Sequence, residues 1–309
     1  MITDINSLSD TPVVVTVAND KFTVPLCVML KSLEMNLGNE AQVAIYILNR
    51  ALSRKNKDII ENSLFTNKLT ITWVAINHKR LKGLRVDGHL TIDTYYRLLI
   101  EELFPQLDKV IYLDADLVIN TSICDLWKID FKGYHLLAVP HASKKSGFVN
   151  GERGLPSFKV LGIPGLTRTF NAGVMVINLK LWRIDAISKM IFSYLRKHKE
   201  LVLWHDQDGL NAILFKKWVA LPAVWNVMTC HLESFSTFED SLLTSSEYQQ
   251  VYSDPAIIHF AGPNKPWLPN YEGPFQELFN QYYDLVSSIS INELLYKRPT
   301  LEDGGVTVY

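Results

Sequence analysis

The stretch KVIYLDADLVIN, residues 109–120, decides the fold class of this chain. Its residues are almost all apolar, as in a strand buried inside a parallel sheet, but Asp114 and Asp116 stand near its middle. If the stretch is extended, alternate side chains point to the same side, so the two carboxylates should be neighbours. Neighbouring carboxylates resist ionising together, and burying one of them unpaired costs several kcal/mol, roughly. The pair therefore needs a compensating positive charge.

Strand-like and helix-like segments alternate on both sides of this stretch. Short β-branched and aromatic runs predict strands at 13–20, 43–48, 69–76, 135–142, 173–179 and 256–262. Amphipathic runs predict helices at 53–64, 94–104, 184–198 and 205–218. A further helix should open with Thr23 as its cap and Pro25 in its first turn. Strands separated by helices predict βαβ units and an α/β fold with a mainly parallel sheet covered on both faces.

The ends of two predicted strands carry polar residues. Asn19 and Asp20 follow the first strand, and the two aspartates lie toward the end of the opening stretch. Ligands of open parallel sheets bind beyond the carboxyl ends of the strands, so a site is expected there. Segment 143–165 is long and irregular, which is typical of a functional lid. From residue 263 the pattern changes, and we expect a main domain over 1–262 and a small helical appendage over 263–309.

The composition excludes several classes of protein. A length of 309 residues with 48% hydrophobic side chains is enough for a sizeable core. The formal net charge of -1 argues against a dedicated nucleic-acid binder, since such proteins usually have a basic excess. Cys27, Cys124 and Cys230 form no CxxC pair, so they favour a reducing compartment over a disulfide framework or a zinc site.

The N-terminal residues lack the basic and apolar regions of a signal peptide, and no apolar run in the chain is long enough to cross a bilayer. We therefore expect a cytoplasmic protein without a transmembrane segment. Any contact with a membrane, at its inner face, should be peripheral.

Three interpretations of Asp114 and Asp116 are open from these residues alone. The first is a pair of solvated carboxylates balanced by Arg or Lys. The second is the nucleophile motif DxDx[TV] of a haloacid-dehalogenase-like phosphatase, although that strand usually starts its fold and three strand-like segments precede it here. The third is a divalent metal held by both carboxylates, because hard oxygen ligands suit Mg²⁺ or Mn²⁺ and the cation would compensate the clustered charge.

Three later segments favour the metal. FNAG (170–173) opens a strand, HDQD (205–208) opens a helix, and HFAGPNKPW (259–267) follows an apolar strand. Each has an ordinary explanation: a turn-forming Asn, acidic residues at the positive end of a helix, and a loop with a packing Trp. Chance does not readily explain their occurrence together, in this order, after an N-terminal strand that ends in VAND.

With these strings the chain resembles the family 8 glycosyltransferases, the retaining group that includes bacterial lipopolysaccharide galactosyl- and glucosyltransferases and glycogenin. The resemblance covers residues from about 13 to 268 and rests on TVANDKF, TYYRL, VIYLDADLVI, FNAGVMVINLKLWR, HDQDGLNAILF and IIHFAGPNKPW. It implies a GT-A fold, which is a Rossmann-like nucleotide-binding sheet, and a nucleoside-diphosphate sugar donor, usually linked to UDP.

The resemblance implies a role for particular residues. It assigns the metal to Asp114, Asp116 and His259, and the nitrogen ligand favours Mn²⁺ over Mg²⁺. The implied donor-binding residues are Val17, Ala18, Asn19, Phe22, His89, Arg97, Ala115, Asn171, Gly262 and Lys265, and the implied catalytic residues are Asp206 and Gln207.

Within the donor set, Phe22 is placed to stack on uracil and Asn19 to pair with it, although the family often has Tyr and Asp at these positions. Gly262 would allow a close backbone approach to the diphosphate, and Lys265 would supply a point charge. The implied contacts with the sugar come from Arg97, Asn171 and Asp206, with His89 near the sugar and the phosphate.

The implied reaction moves galactose or glucose from a UDP-sugar to a hydroxyl of a glycan acceptor, with retention at the anomeric carbon. The acceptor would be lipopolysaccharide or another envelope glycan. A front-face path is favoured over double displacement, because the carboxamide of Gln207 is a poor nucleophile; Gln207 would instead stabilise the cationic sugar. Segment 143–165 would close over the donor and exclude water. The alternative is a catalytically weak nucleotide-sugar or glycan-binding protein on the same fold.

Overall fold

The computed structural model describes residues 11–39, 41–87 and 91–288. His89 and residues 289–309 of the predicted appendage therefore lie outside the described part of the chain. The described ranges contain ten strands and ten α-helices. Among these helices, none combines the length and the apolar character that a membrane span requires.

Two sheets organise the strands. The larger sheet contains β1 (Val13–Val17), β2 (Val43–Asn49), β3 (Leu69–Ala75), β4 (Lys109–Leu113), β6 (Leu136–Pro140), β7 (Phe170–Asn178) and β8 (Trp218–Ala220). The smaller sheet contains β5 (Leu117–Ile119), β9 (Val227–Met228) and β10 (Ile257–His259). The strand orders are β3-β2-β1-β4-β7-β6-β8 and β5-β10-β9. In the larger sheet only β7 runs antiparallel to its neighbours, so the predicted mainly parallel sheet is confirmed.

Helices cover both faces of the larger sheet. The helices of the described ranges are α1 (Thr23–Asn36), α2 (Arg54–Asn62), α3 (Ile100–Leu103), α4 (Ile123–Lys128), α5 (Leu179–Ile184), α6 (Ile187–Lys197), α7 (Asp206–Leu214), α8 (Thr229–Ser234), α9 (Ser245–Ser253) and α10 (Gln276–Ser287). Val13 and Val15 of β1 belong to the hydrophobic cluster that α5, α6 and α7 cover, whereas Val14 belongs to the cluster under α1 and α2. Alternate residues of one strand thus enter two cores, which explains why its sequence is continuously apolar.

The order of the strands creates a crevice at the carboxyl ends of β1 and β4. From β1 the chain proceeds outward through β2 and β3, and β4 then returns to the other side of β1. In α/β sheets this reversal leaves a ligand-binding crevice beyond the strand ends. Asn19 follows β1 and Asp114 follows β4, so both border this crevice.

The opening stretch 109–120 is not a single strand, which corrects the prediction. β4 ends at Leu113, the chain bends through residues 114–116, and β5 continues in the smaller sheet. The Asp114 N–H donates to the Gly173 carbonyl of β7 at 2.8 Å, whereas the Asp116 carbonyl accepts from the Phe260 N–H at 3.0 Å. The two aspartates are therefore brought together where two sheets meet, and not by the alternation of one strand.

Several predicted helices also differ in detail. Phe22, and not Thr23, is the capping residue of α1, and the Thr23 hydroxyl donates to the Asp20 carbonyl at 3.0 Å. The helix predicted at 94–104 is mostly a 3₁₀-helix over Ile92–Leu99, followed by the short α3. The helix predicted at 184–198 begins only at 187, because Ala186 has a left-handed φ of 51° that separates α5 from α6. The segment predicted as a helix over 205–218 ends at Leu214, and β8 follows.

The described part of the predicted appendage packs on the main body. Phe279 and Tyr282 of α10 are buried in one cluster with Val28 of α1 and Val118 of β5. The Asn36 side chain at the end of α1 donates to the Tyr282 hydroxyl at 2.8 Å. The division at residue 262 remains a prediction, but α10 shares its core with the first helix of the fold.

Candidate active site

The pairing of β5 with β10 brings His259 to the two aspartates. In this antiparallel pair His259 lies opposite Leu117, the residue after Asp116. Its Nε2 lies 3.3 Å from Asp116 Oδ1 and 3.7 Å from Asp114 Oδ2. The structure thus brings together three side chains that are separated by up to 145 positions in the sequence, as 259 minus 114.

These three side chains fit a divalent metal. One ligand atom from each lies within 4.8 Å of the other two. Gly173 of β7 leaves room beside them, since a Cβ there would come within 2.3 Å of His259 Cε1 and 2.8 Å of Asp114 Oδ2. Two carboxylates and one imidazole suit cations of the Mn²⁺ and Mg²⁺ kind, and the imidazole favours Mn²⁺.

Each aspartate also has a cationic side chain beside it. Arg97 Nη2 donates to Asp114 Oδ1 at 2.8 Å, and Lys265 Nζ donates to Asp116 Oδ2. Burial favours the neutral form of Asp116, but Lys265 and His259 outweigh it, and the pKa of Asp116 is lowered. The protein itself therefore compensates much of the repulsion between the two carboxylates, whereas the sequence suggested that a bound cation would do so.

Arg97 joins the Asp114–Asp116–His259 group to the start of α7. Its guanidinium is buried, contacts Asp206 Oδ2 at 3.0 Å through Nε, and donates to the Ala172 carbonyl at 2.7 Å through Nη1. Burial alone lowers the pKa of Arg97, but Asp114 and Asp206 more than offset this and the pKa is raised. For Asp206 burial dominates over the attraction of Arg97, and its pKa is raised. The cation at this position is therefore permanent.

A chain of side-chain amides connects Gln207 to His259. Asn171 Nδ2 donates to Gln207 Oε1 at 3.1 Å, and the Ala172 N–H donates to the same oxygen at 3.2 Å. Asn226 Nδ2 donates to Asn171 Oδ1 at 2.9 Å, and Asn226 Oδ1 lies 3.0 Å from His259 Nδ1. Because the backbone donor fixes the Gln207 oxygen, the orientation of every amide in this chain is determined.

Asn226 is a residue that sequence reasoning missed. It is buried at the end of a 3₁₀-helix between β8 and β9, outside the recognisable strings. By accepting a hydrogen bond from His259 Nδ1–H it turns Nε2 of that ring toward the two aspartates, which is the orientation that a metal ligand needs. A signal for such a residue exists only in three dimensions.

Beyond the end of β1, the residues assigned to the uridine pocket lie together. Phe22 contacts Trp267 edge to face, with 6.1 Å between ring centroids. Asn19 Nδ2 donates to Asp93 Oδ2 at 2.8 Å, and Asp93 is a second residue that sequence reasoning missed. Of the remaining assigned residues, Ala18 and Ala115 are buried and Val17 is partly buried.

The segment that the sequence suggested as a lid is anchored on the protein. Val149, Leu155 and Ile163 are buried in the larger core cluster. Next to this segment, the rings of His141 and His231 lie 5.2 Å apart, and Ser146 Oγ lies 3.3 Å from His231 Nε2. Burial lowers the pKa of His141 well below its usual range and that of His231 to about 4. Closure of 143–165 over a ligand remains a prediction.

Two residues near the site adopt positive φ. His205, which precedes Asp206, has φ 51° and ψ -121°, a strained conformation for a residue with a side chain, and such strain often occurs at functional sites. Its Nε2 lies 3.1 Å from Asp87 Oδ1. Gly262 has φ 94°, which explains why glycine follows the β10 strand between His259 and Lys265.

Comparison with known proteins places this geometry in a family. The family model described as glycosyl transferase family 8 matches residues 13–270. The chain belongs to glycosyl transferase family 8. Its fold is the GT-A fold, as the solved structure of the galactosyltransferase LgtC with donor and acceptor sugar analogues shows: the TM-score is 0.74 at 26% identity, covering 88% of this chain and 95% of LgtC.

Two sequence relatives of this family 8 glycosyltransferase illustrate its range. General stress protein A of Bacillus subtilis is 28% identical over 273 residues, covering 87% of this chain and 92% of the relative. The lipopolysaccharide 1,3-galactosyltransferase of Salmonella typhimurium is 32% identical over 216 residues, covering 68% of this chain but only 60% of that enzyme. Family membership sets aside the phosphatase interpretation of the two aspartates.

The buried histidine pair predicts an acid-sensitive fold. His231 is held neutral with a pKa of about 4, below the unfolded value near 6.5, so its contribution to stability is complete above about pH 6.5 and is lost as the pH falls toward 4. Between neutral pH and pH 4, the free energy of unfolding should therefore fall less in His231→Gln than in the wild type, by at most about 3 kcal/mol. Urea titrations at neutral and acidic pH measure the effect, with His198→Gln as control. An equal fall in the free energy of unfolding between the two pH values in the wild type and in His231→Gln would contradict the prediction.

Proposed function

We propose that this protein is a metal-dependent retaining hexosyltransferase, which moves galactose or glucose from a UDP-sugar to a hydroxyl of an envelope glycan such as lipopolysaccharide. The observation that carries the proposal is the Asp114–Asp116–His259 set at the crevice of a GT-A fold, with Arg97 and Lys265 beside it. The Salmonella and LgtC relatives, which are named as galactosyltransferases, support the donor and the acceptor class.

Asp114, Asp116 and His259 would hold Mn²⁺, which when bound supplies positive charge to the diphosphate of the donor. Lys265 Nζ lies against Asp116 and the Phe260 carbonyl, 2.6 Å from the latter. An anion held near that carboxylate is within reach of this ammonium, so Lys265 would stabilise the leaving group as its charge develops. No acid is then required to expel UDP.

At the opposite end of the amide chain, Gln207 would face the sugar. Its Oε1 already accepts hydrogen bonds from Asn171 and Ala172, which engages both lone pairs in the plane of the amide. This arrangement disfavours Gln207 as a nucleophile. To stabilise positive charge on the sugar, the Gln207 oxygen would give up one of these hydrogen bonds and turn toward the bound UDP-sugar. Asp206 would stay beside Arg97 to hold this end of the site in place. The acceptor hydroxyl would then attack from the face that UDP leaves, and the departing phosphate oxygen would take its proton.

On the acceptor side, Trp204 is half-buried directly before the strained His205. Its Nε1 is buried and has no hydrogen-bond partner among the residues that the structure describes. An indole of this kind can pack against a sugar ring and donate to one of its hydroxyls.

Free Cys27, Cys124 and Cys230 support the cytoplasmic location that the composition predicts.

The first test is release of UDP from UDP-galactose and UDP-glucose with and without Mn²⁺. Asp116→Asn should lower turnover by roughly 10³-fold, because one ligand and several kcal/mol of charge stabilisation are lost. In thermal melts Mn²⁺ with UDP should stabilise the wild type by about 2.7 kcal/mol at 100-fold excess over Kd. Asp125→Asn removes an exposed carboxylate and serves as control. Binding of UDP without release of UDP from either donor would favour the binding-protein alternative, and unaltered turnover in Asp116→Asn would contradict the role of Asp116 as a metal ligand.

The amide chain predicts a distinct role for Asn226. Asn226→Ala should weaken Mn²⁺ affinity by about 10- to 100-fold, as expected for the partner of a metal-ligating histidine. Asn226→Asp keeps an acceptor for His259 but loses the donor to Asn171, so it should retain Mn²⁺ and raise KM for the donor. Electron paramagnetic resonance of free Mn²⁺ measures the affinity independently of turnover. Wild-type affinity in Asn226→Ala would refute this role.

For Gln207, replacement by Ala should lower kcat by about 10²-fold with little change in KM for the donor, since a stabilising dipole is lost in the transition state. Gln249→Ala, an exposed glutamine of α9, is the matched control. Nearly full activity of Gln207→Ala would remove the proposed stabilisation of the cationic sugar.

A further inference from the structure

A basic groove lies outside the residues assigned to the donor. It is open, has a volume of about 490 Å³, and is lined by Arg80, Lys189, Phe192, Ser193, Arg196 and Lys197. All of these except Arg80 belong to α6, whose sequence ISKMIFSYLRK contains no acidic residue. A chain with a net charge of -1 thus concentrates cations on one helix face.

The arginines of the basic groove are held in place by the protein. Both guanidinium groups lie over the ring of the buried Phe192, at 5.7 Å for Arg80 and 5.5 Å for Arg196. Arg196 Nη2 also donates to the Arg80 carbonyl. Glu102 pairs with Arg80, which leaves the charges of Lys189, Arg196 and Lys197 without an acidic partner among the lining residues. Like charges this close repel each other, so an anion in the groove would relieve the repulsion.

The basic groove opens at the same edge of the sheet as the candidate active site. Arg80 lies in the 3₁₀-helix His78–Leu81, shortly after the carboxyl end of β3. The end of α6 leads through residues 198–205 to Asp206, which begins α7. This linker is fastened to the segment after Arg80, because Arg85 Nη1 donates to the Val202 carbonyl at 2.6 Å. The groove is therefore connected to the start of α7 through this linker.

Exposed apolar side chains lie on α6 and on the linker that follows it, and together they form the apolar rim. Met190 follows Lys189 on α6 and is 44% exposed, and Leu201 and Leu203 of the linker are 37% and 42% exposed. Cations interspersed with exposed apolar side chains are typical of surfaces that lie on a bilayer, where the cations meet phosphates and the apolar groups enter the headgroup layer.

We propose that the basic groove and its apolar rim dock the protein on a membrane surface rich in anionic phospholipids. That the docked site then faces an acceptor carried by the membrane rests on the proposed function, whereas the docking itself does not. A single free phosphate is a poorer fit, because the lining cations come from exposed side chains and no buried polar group points into the groove among the described residues. The balanced charge of the whole chain argues against nucleic acid.

Co-sedimentation of the full chain with vesicles tests the docking. Vesicles of phosphatidylcholine mixed with phosphatidylglycerol should bind the protein, and vesicles of pure phosphatidylcholine should not. Since each cation near an anionic surface is worth roughly fivefold in affinity, the triple variant Lys189→Gln/Arg196→Gln/Lys197→Gln should bind about 100-fold more weakly. The charge-matched control Arg54→Gln/Lys55→Gln/Lys128→Gln, on α2 and α4, should bind like the wild type. High salt should abolish binding.

Release of UDP from a soluble donor should be the same in the groove variant as in the wild type, which separates failure of docking from failure of the proposed function. Equal binding to neutral vesicles, or equal loss in the two triple variants, would overturn the proposal. Competition by millimolar inorganic phosphate would assign the groove to a small anion instead, and groove-dependent binding of single-stranded RNA would assign it to nucleic acid. A circular-dichroism melt of each variant confirms that these exposed substitutions leave the fold intact.

Discussion

The geometry of the site depends on the contacts of one buried group, the guanidinium of Arg97. It lies between Asp114 after β4 and Asp206 at the start of α7, and it also donates to the Ala172 carbonyl of β7. Three elements thus meet at one cation that is 8% exposed. Removing a partner from such a set leaves a buried charge uncompensated, which usually costs about 3–5 kcal/mol. The arrangement therefore tolerates little variation, and it fixes the position of Asp114 before any ligand binds.

Around Arg97, burial and neighbouring charges shift the pKa values of two carboxyl groups in opposite directions. Lys265 lowers the pKa of Asp116, while burial raises the pKa of Asp206. The amide chain from Gln207 to His259 crosses between them without a charged member. Amides can link His259 to Gln207 without adding charge beside the two aspartates. This is a physical reason for uncharged side chains at Asn171, Asn226 and Gln207.

Much of the fold could be predicted from the periodicity of apolar residues and from the residues that end helices and strands. The parallel strands β1, β2 and β3 fall where β-branched runs predicted them, and the alternation of strands and helices gave the α/β class. The errors have local causes. The apolar run 109–120 predicts a single strand, although its two halves belong to two sheets. Both halves are buried, and a buried strand has the same apolar sequence in either sheet. The apolar pattern over 184–198 predicts one continuous helix, but the left-handed conformation of Ala186 separates α5 from α6. A single residue with positive φ does not change the pattern of apolar side chains, so the break cannot be predicted from that pattern.

The types of side chain at the site could be predicted from the sequence: two aspartates, a histidine, an arginine and a lysine, in strings specific enough to indicate the family. This was possible because residue types and their order are properties of the chain alone. The balance of charge required the tertiary structure, since strand pairing and burial bring Asp114 to Arg97 and Asp116 to Lys265. For the same reason, Asn226 and the basic groove are visible only in space: each is made by segments that meet through packing and not through adjacency in the chain.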